Sequence, residues 1–404
     1  MVVEVINTGT ELLLGNTVNT HIAFLGQELF PLGLRVARQV TVPDGDAIRT
    51  ALTEAMDRAE IIIVTGGLGP TTDDITREIV AAMFDLPLVE DPAVWEHIQA
   101  RFARRGLSMT PRNRRQAQAP QGARVLPNPF GTAPGLYLLQ GGRHIFLMPG
   151  PPRELKPMFR DTVAPILREI VPGGAETGSR RWLITGMGES GVEAAVGAQL
   201  LAIPRLELGY CARPGIVEVR CIGPAEALAL AETVIMEKLS PHIAGEGSEG
   251  LEEILVHRLA ELGKKVTTAE SCTGGRLAHK ITGVPGASRV FDAGFITYAN
   301  EEKTRALGVS ADLIAAHGAV SEPVARAMAE GALERAGADF ALATTGIAGP
   351  DGGTPEKPVG TVYIAIASRG GQTRVSKNLY PMDRLTFQEI ASNAALDMLR
   401  SALS

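Results

Sequence analysis

The run Ile61-Ile62-Ile63-Val64 is the feature that most restricts how this chain can fold. Consecutive β-branched residues with no polar residue between them are typical of a strand that is buried on both faces of a parallel sheet. Further strand patterns at residues 2–7 and 34–42 alternate with helical patterns over roughly the first 160 residues. This alternation predicts a doubly wound α/β domain, in which ligands bind at the carboxyl ends of the strands.

The chain has 404 residues, more than one hydrophobic core usually supports, so we expect several domains. A break at Val171-Pro172-Gly173-Gly174 predicts the end of the first domain, residues 1–170. Residues 175–246 follow the order strand, helix, hairpin, helix, which predicts a small α+β module. The glycine-bearing stretch 244–248 predicts a linker, and residues 250–404 are predicted to form an α/β domain.

Composition limits the class of function. Charged residues make up 21% of the chain and hydrophobic residues 45%, as in globular proteins. The net charge of −6 gives no general reason to expect a nucleic acid or an anionic membrane as partner. No stretch approaches the ~20 apolar residues of a membrane span, and the N-terminus lacks the pattern of a signal peptide. We therefore expect a cytoplasmic protein without a membrane partner.

The densest chemical signal is Ala269-Glu270-Ser271-Cys272-Thr273-Gly274-Gly275, which follows a strand pattern and precedes a helical one. Ser271 is expected near a helix N-terminus, where free backbone N–H groups and the helix dipole favour a phosphate or a developing oxyanion. A serine that only caps the helix within a glycine turn is the alternative interpretation.

Two further segments favour a catalytic role for this region. Tyr298-Ala299-Asn300-Glu301-Glu302-Lys303 leaves a strand and enters a helix, which brings a phenol and an amine to the same sheet edge. A desolvated lysine, or a tyrosine–lysine pair, can act as base for a serine, whereas a lysine on an exposed helix surface is the alternative. The glycine-rich stretch 344–353 also follows a buried strand and lets backbone approach a ligand closely.

These three segments resemble the C-terminal domain of the CinA family over residues of about 250–380. That family includes nicotinamide mononucleotide deamidases, which release ammonia and leave nicotinate mononucleotide. The resemblance implies a metal-free amidase with Ser271 as nucleophile, Lys303 as base, Tyr298 as supporting phenol and an acyl-enzyme intermediate. It also implies a homodimer. The residues that would bind the nucleotide are Thr273, Gly274, Gly275, Thr345, Gly346, Ala348, Gly349 and Gly353.

Two loops predict a ligand site in the first domain. Residues 8–16, which include Thr10 and Glu11, follow the first strand but form neither a dinucleotide fingerprint nor a phosphate loop with its lysine. Thr65-Gly66-Gly67-Leu68-Gly69-Pro70-Thr71-Thr72-Asp73-Asp74 follows the most buried strand. Its glycines suit a phosphate, and its two aspartates could hold a divalent metal. A helix that is simply capped by Asp73 is the alternative.

With Met148-Pro149-Gly150 and the stretch 130–135, these loops resemble the molybdopterin-binding fold and the N-terminal domain of the CinA family. Members of that kind are similar to ADP-ribose pyrophosphatases, which need a divalent metal and yield AMP and ribose 5-phosphate. The resemblance makes Asp74 and Glu11 candidate metal ligands. The candidate site consists of Thr10, Glu11, Gly66, Gly67, Gly69, Asp73 and Asp74.

The middle module resembles a KH-type module, and Gly188-Glu189-Ser190-Gly191 fits its glycine loop. Residues 173–246 hold six basic and nine acidic residues, which argues against RNA, so we interpret the module as a spacer or dimer element. The whole chain is thus predicted to be a two-enzyme protein of pyridine nucleotide salvage. The alternatives are an N-terminal domain that binds a pterin or nucleotide without turnover, and a scaffold tied to DNA uptake.

Overall fold

The computed structural model describes residues 1–171 and 177–403. Their contacts form two compact units, Met1–Thr177 and Gly178–Ser404. The proline and the glycines of the predicted break, residues 172–174, lie outside the described residues. The predicted middle module and C-terminal domain share the second unit. Within the described ranges, the structure has no helix with the length and apolar character that a bilayer crossing requires.

The first unit is an α/β structure. Its strands are β1 (Val3–Thr8), β2 (Val36–Val42), β3 (Ile61–Thr65), β4 (Leu88–Glu90), β5 (Gln118–Pro120), β6 (Arg124–Leu126), β7 (Gly135–Gln140) and β8 (Arg143–Met148). Its helices are α1 (Thr10–Leu13), α2 (His21–Leu29), α3 (Asp46–Arg58), α4 (Thr76–Met83), α5 (Pro92–Arg105), α6 (Pro152–Met158) and α7 (Ala164–Ile170).

The main sheet of the first unit has the order β2-β1-β3-β8-β7-β6. The strands from β2 to β8 run parallel, while β7 and β6 are antiparallel to their neighbours. Ile61 and Ile63 of β3 belong to one hydrophobic cluster, and Ile62 and Val64 belong to the other. The sheet is therefore buried on both faces, as the run of β-branched residues predicts, and the parallel strands direct their carboxyl ends to one edge.

The second unit contains two sheets. Its strands are β9 (Gly178–Thr185), β10 (Glu207–Arg213), β11 (Ile216–Gly223), β12 (Ile243–Glu246), β13 (Val266–Glu270), β14 (Gly294–Ile296), β15 (Phe340–Gly346), β16 (Thr361–Ser368) and β17 (Arg374–Leu379). Its helices are α8 (Glu189–Leu201), α9 (Ala225–Leu239), α10 (Leu251–Leu262), α11 (Arg276–Thr282), α12 (Asn300–Leu307), α13 (Ala311–His317), α14 (Glu322–Ala336) and α15 (Arg384–Leu403).

The two sheets differ in strand direction. The first has the order β10-β11-β9-β12 and is antiparallel. The second has the order β14-β13-β15-β16-β17, in which β14, β13 and β15 are parallel and β16 and β17 complete the sheet in antiparallel pairs. The carboxyl ends of β13, β14 and β15 therefore meet at one edge, where the three predicted catalytic segments begin.

The prediction of a linker at residues 244–248 is wrong. Most of it belongs to β12, an edge strand that pairs with β9. A Cβ atom on Gly245 would lie 2.4 Å from Cδ1 of Ile254 in α10. Gly245 is thus needed because a neighbouring side chain packs closely against the strand. A glycine in a flexible linker looks the same in the sequence, but it is there for a different physical reason.

Candidate active sites

Ser271 lies at the end of β13, between two neighbouring strands. Its backbone N–H donates to the carbonyl oxygen of Thr344 in β15 across 3.0 Å. On the other side, the N–H of Thr297 donates to the carbonyl oxygen of Glu270 across 2.8 Å. The ladder bonds that hold the sheet together therefore extend to the serine and fix its backbone at the sheet edge.

Lys303 in α12 contacts the serine side chain directly. Its Nζ atom lies 3.2 Å from Ser271 Oγ and donates to the carbonyl oxygens of Thr297 at 2.8 Å and Tyr298 at 3.3 Å. The lysine is 1% exposed, and this burial lowers its pKa. The two carbonyl groups accept two of its N–H bonds and so fix the amine beside the Ser271 hydroxyl. The alternative of a lysine on an exposed helix surface is wrong.

The N-terminus of α11 is not a free anion site, contrary to expectation. Glu270 is fully buried, and its carboxylate accepts from the backbone N–H groups of Gly275 at 2.9 Å, Leu277 at 3.0 Å and Ala278 at 2.8 Å. The hydroxyl of Thr273 donates to the same carboxylate across 2.7 Å. Glu270 therefore compensates the helix dipole and braces the turn that carries Ser271.

Cys272 is the other nucleophilic atom of this turn, but its environment suppresses its reactivity. It is 4% exposed, and burial raises the pKa of its thiol to about 12. The thiol therefore stays protonated near neutral pH, which makes Cys272 a poor nucleophile. Gln388 of α15 donates to the Cys272 carbonyl oxygen across 2.9 Å and so ties the turn to the final helix.

Tyr298 contacts the lysine through its backbone and not through its phenol. The phenol oxygen accepts from Arg384 of α15 across 2.6 Å, and the side chain is 58% exposed. The same guanidinium donates to the carbonyl oxygen of Gly349 across 2.9 Å. Arg384 therefore ties the Tyr298 segment to the glycine-rich loop, so the two lie at one site as predicted, but the phenol is positioned at its outer edge.

The remaining predicted nucleotide-binding residues divide into structural and accessible groups. The hydroxyl of Thr345 donates to the Ala319 carbonyl oxygen across 2.8 Å, and that of Thr273 is used by Glu270. Gly346 ends β15, Ala348 and Gly349 are buried, and Gly274, Gly275 and Gly353 are exposed or half-buried. Gly353 packs so closely on the chain that a Cβ atom would lie 2.7 Å from the backbone nitrogen of Val359.

Sequence reasoning missed three residues of this site. Glu270 lies inside the recognised motif, where an acidic residue that ends a buried strand is itself an unusual signal. Arg384 and Gln388 lie at the start of the final helix, 86 residues from Tyr298 and 116 residues from Cys272 respectively. No local pattern distinguishes them from other polar residues of an amphipathic helix.

The first unit contains a cavity of about 370 Å³ at the carboxyl ends of β1, β2, β3 and β8. All the predicted residues of this site except Thr10 line the cavity. Glycine is required at Gly67, because its φ is +68° and a Cβ atom would lie 2.1 Å from the Thr76 hydroxyl oxygen. The loop after β3 therefore approaches the cavity through backbone, as a phosphate site requires.

Five carboxylates surround this cavity: Glu11, Asp44, Asp73, Asp74 and Glu154. Thr10 donates to Asp44, and the backbone N–H of Thr71 donates to Asp74 across 2.9 Å. In the described part of the chain, no group of three or more histidine, cysteine, aspartate or glutamate side chains could hold a metal ion. Mg²⁺ usually binds to one or two carboxylates together with substrate phosphates, so the residues present fit a cation that arrives with a phosphorylated ligand.

The sequence profile described as the CinA C-terminal domain matches residues 248–403, and the profile of a probable molybdopterin-binding domain matches residues 4–169. A CinA-like protein of Akkermansia muciniphila is 48% identical and covers 99% of this chain and 97% of its own length. A putative competence-damage inducible protein of Symbiobacterium thermophilum is 47% identical over 92% of this chain and 90% of its own. The crystal structure of a competence/damage inducible protein from Agrobacterium tumefaciens is 43% identical, covers 38% of this chain and 96% of that chain, and has a TM-score of 0.37. The chain is a member of the CinA family, with a molybdopterin-binding-like domain before the CinA C-terminal domain.

Proposed function

We propose that the second unit hydrolyses the carboxamide of nicotinamide mononucleotide, giving ammonia and nicotinate mononucleotide. The observation that carries this proposal is the contact between the Ser271 hydroxyl and a lysine amine that is buried and has a lowered pKa. Such an amine is a base at a pH where an exposed lysine is not, and a hydroxyl beside a base is an activated nucleophile.

The proposed reaction proceeds in two steps. Lys303 takes the proton of Ser271 while Oγ bonds to the carboxamide carbon, and the amine then returns that proton to the leaving nitrogen as the C–N bond breaks and ammonia departs. Water adds to the acyl-enzyme in the same way, with Lys303 as base, and the ester bond to Ser271 breaks. The backbone N–H groups of Cys272 and Thr273, which follow the nucleophile, are our candidates for stabilising the oxyanion, since those of α11 serve Glu270.

The test is ammonia release from nicotinamide mononucleotide by the full-length protein and its Ser271→Ala variant. We expect turnover in the presence of EDTA, because the nucleophile and the base are both protein side chains, and complete loss in the variant. Cys272→Ala is the matched control, since its thiol is buried and protonated, and it should retain turnover. Release that survives in Ser271→Ala would exclude the proposed nucleophile.

A second activity is favoured by the cavity of the first unit. We propose that it hydrolyses ADP-ribose to AMP and ribose 5-phosphate, because glycine backbone and carboxylates line one cavity at the strand ends. Asp74 and Glu11 would hold a divalent cation, which supplies positive charge next to the pyrophosphate. The roles of the chain are to bind the phosphates through the backbone after β3 and to orient the acidic side chains.

AMP release from ADP-ribose, measured with and without added Mg²⁺, tests this second activity. Asp74→Ala should abolish the release and leave ammonia release from nicotinamide mononucleotide unchanged. Asp57→Ala on the exposed face of α3 is the control, because this residue does not line the cavity. Unchanged AMP release in Asp74→Ala would remove this residue from the proposal.

A further inference from the structure

The turn that carries Ser271 is a type I β-turn. The backbone N–H of Gly274 donates to the Ser271 carbonyl oxygen across 3.1 Å, so Ser271 is the first residue of the turn and Gly274 the fourth. Neither central residue, Cys272 or Thr273, has the positive φ that a type II turn requires. In a type I turn that begins with serine, the N–H of the third residue points towards the side chain of the first. The Thr273 N–H is therefore directed towards the nucleophile.

The peptide group between Cys272 and Thr273 is the part of this turn that the turn's own hydrogen bond does not hold. That bond joins the peptide groups on either side of it. Rotation of the central peptide converts a type I turn into a type II turn and reverses the direction of its N–H. The β-branched side chain of Thr273 opposes the full reversal, because a positive φ is costly for such a residue. Smaller rotations also misdirect the N–H, and a partner outside the turn is needed to prevent them.

Gln388 of α15 supplies such a partner. Its Nε2 atom donates to the Cys272 carbonyl oxygen across 2.9 Å, and this carbonyl and the Thr273 N–H belong to one planar trans peptide group. The two groups point in opposite directions, so a hydrogen bond that holds the carbonyl also fixes the direction of the N–H. The same bond polarises the peptide group and strengthens its N–H as a donor.

The neighbours of Gln388 hold this part of α15 in place. Phe387 is fully buried in the hydrophobic core of the second unit. Glu389 pairs with Arg276 at 2.7 Å and with Lys280 at 2.6 Å, and both cations lie on α11. The helix that carries the amide is thus docked on the helix that follows the nucleophile's turn, and the amide acts from a fixed point.

We propose that Gln388 is a positioning residue for deamidation, which aims the Thr273 N–H at the oxyanion that forms when Ser271 Oγ attacks the substrate. A donor stabilises an oxyanion effectively only if it already points at the position that the charge will occupy, and loss of one donor costs about 10²–10³-fold in rate. Gln388 acts through the turn and does not touch the substrate, so its loss should lower kcat and leave KM nearly unchanged. The inference rests on the proposed deamidase function of the second unit.

The test uses Gln388→Met in the full-length protein, since methionine keeps the length of the side chain and removes the donor. We expect kcat for nicotinamide mononucleotide to fall by about tenfold or more. The thioamide analogue of this substrate gives a second readout, because its sulfur accepts hydrogen bonds poorly. Its kcat should fall less, so the ratio of the carboxamide kcat to the thioamide kcat should shrink. Glu389→Gln is the matched control, because it weakens the pairing of α15 with α11 and keeps the bond to the turn, and it should leave the ratio unchanged.

A role of Gln388 that is only structural predicts different results. An equal fall in kcat for both compounds, a rise in KM at constant kcat, or an unchanged kcat in Gln388→Met would overturn the inference. If Gln388→Met lowers the melting temperature, Gln388→Glu replaces it in the comparison. A glutamate has the same shape as glutamine, but its ionised carboxylate cannot donate.

An activated ester separates this inference from the proposed substrate. p-Nitrophenyl acetate acylates a reactive serine without any nucleotide, and its attack by Oγ forms an oxyanion at the same place. Ser271→Ala gives the background release of p-nitrophenolate. Release that depends on Ser271 and falls by about tenfold in Gln388→Met, in a protein that does not deamidate nicotinamide mononucleotide, would support the inference and refute the proposed substrate. An original chain that reacts with neither compound would overturn both.

Discussion

The two candidate sites of this chain are built in opposite ways. In the second unit, Ser271 and Lys303 already contact each other, and the amine is almost completely buried. In the first unit, five carboxylates line an open cavity, and Asp44 and Asp74 are bonded to nearby threonines instead of to one another. A base made from lysine depends on burial, so its site is complete before the substrate arrives. If the first unit hydrolyses a pyrophosphate as proposed, a cation that binds together with the substrate would supply the positive charge that its carboxylates do not.

The sharpest way to break this comparison is to remove the buried amine. We expect Lys303→Met to reduce ammonia release from nicotinamide mononucleotide by about 10³-fold or more, since general base catalysis contributes about 10²–10⁴-fold and Lys303 is the base that contacts Ser271 Oγ. AMP release from ADP-ribose should not change. Lys280→Met is the matched control, because Lys280 is also largely buried but pairs with Glu389. Ammonia release at the original rate in Lys303→Met would mean that the contact with Ser271 is structural.

Substitution of Glu270, whose carboxylate holds the Ser271 turn, should have the next largest effect on ammonia release. Glu270→Gln places an amide N–H group against backbone N–H donors, so we expect kcat to fall by about 10–100-fold with little change in KM, and the free energy of unfolding to fall by about 1–3 kcal/mol. Glu253→Gln is the control, since its carboxylate also accepts from a backbone N–H group, that of Gly250 at the start of α10, but makes no hydrogen bond to the serine turn. A loss of stability with unchanged kcat would reduce Glu270 to a structural role.

The pH dependence of deamidation and of stability tests whether Lys303 is the base. Burial lowers the Lys303 pKa from its ordinary 10.5, so kcat/KM for nicotinamide mononucleotide should rise about tenfold per pH unit below that lowered pKa and level off above it. Between the lowered pKa and 10.5 the folded chain binds fewer protons than the unfolded chain, and stability should therefore rise with pH in this window. Lys303→Met should remove this contribution to stability. A deamidation rate that is independent of pH would contradict a lysine base.

The smallest effect concerns the loop after β3. Gly67→Ala introduces a Cβ atom 2.1 Å from the Thr76 hydroxyl oxygen at a positive φ, so we expect a loss of about 1–3 kcal/mol in stability and a severalfold drop in AMP release. Gly15→Ala has a similar φ of +75° with nothing within 4 Å of the added atom, and it isolates the backbone strain. Ammonia release should persist in both variants. Equal effects of the two substitutions would mean that the close approach of Gly67 is unimportant.

Local patterns predicted those features that depend on neighbouring residues. The run at residues 61–64 predicts a strand buried on both faces, and that prediction is confirmed because burial on both faces demands an apolar residue at every position. The motif around Ser271 and the later Lys303 predicted two side chains that the structure brings together. Their roles in catalysis stay predictions until activity is measured.

Features that depend on distant residues could not be predicted in this way. Gly245 of β12 predicts a linker from the sequence alone, because its packing against Ile254 is visible only in the folded structure. Arg384 and Gln388 acquire their positions only when α15 packs against the loops around Ser271 and Gly349. A cavity of about 320 Å³ in the first unit is likewise formed jointly by α5 and the segment 127–134, and neither part of the sequence indicates a cavity by itself.

The path of α15 has a consequence for how the second unit can be divided. Gln388 donates to the carbonyl oxygen of Cys272. Further along the same helix, by about 8 Å and about 14 Å, Asn393 and Asp397 bond to Pro214 in the β10–β11 turn and to Thr185 of β9. The sheet formed by residues 178–246 therefore helps to hold the helix that contacts the Ser271 turn. Excision of that module would remove these partners of Asn393 and Asp397, so we expect it to weaken the packing of α15 against the candidate site.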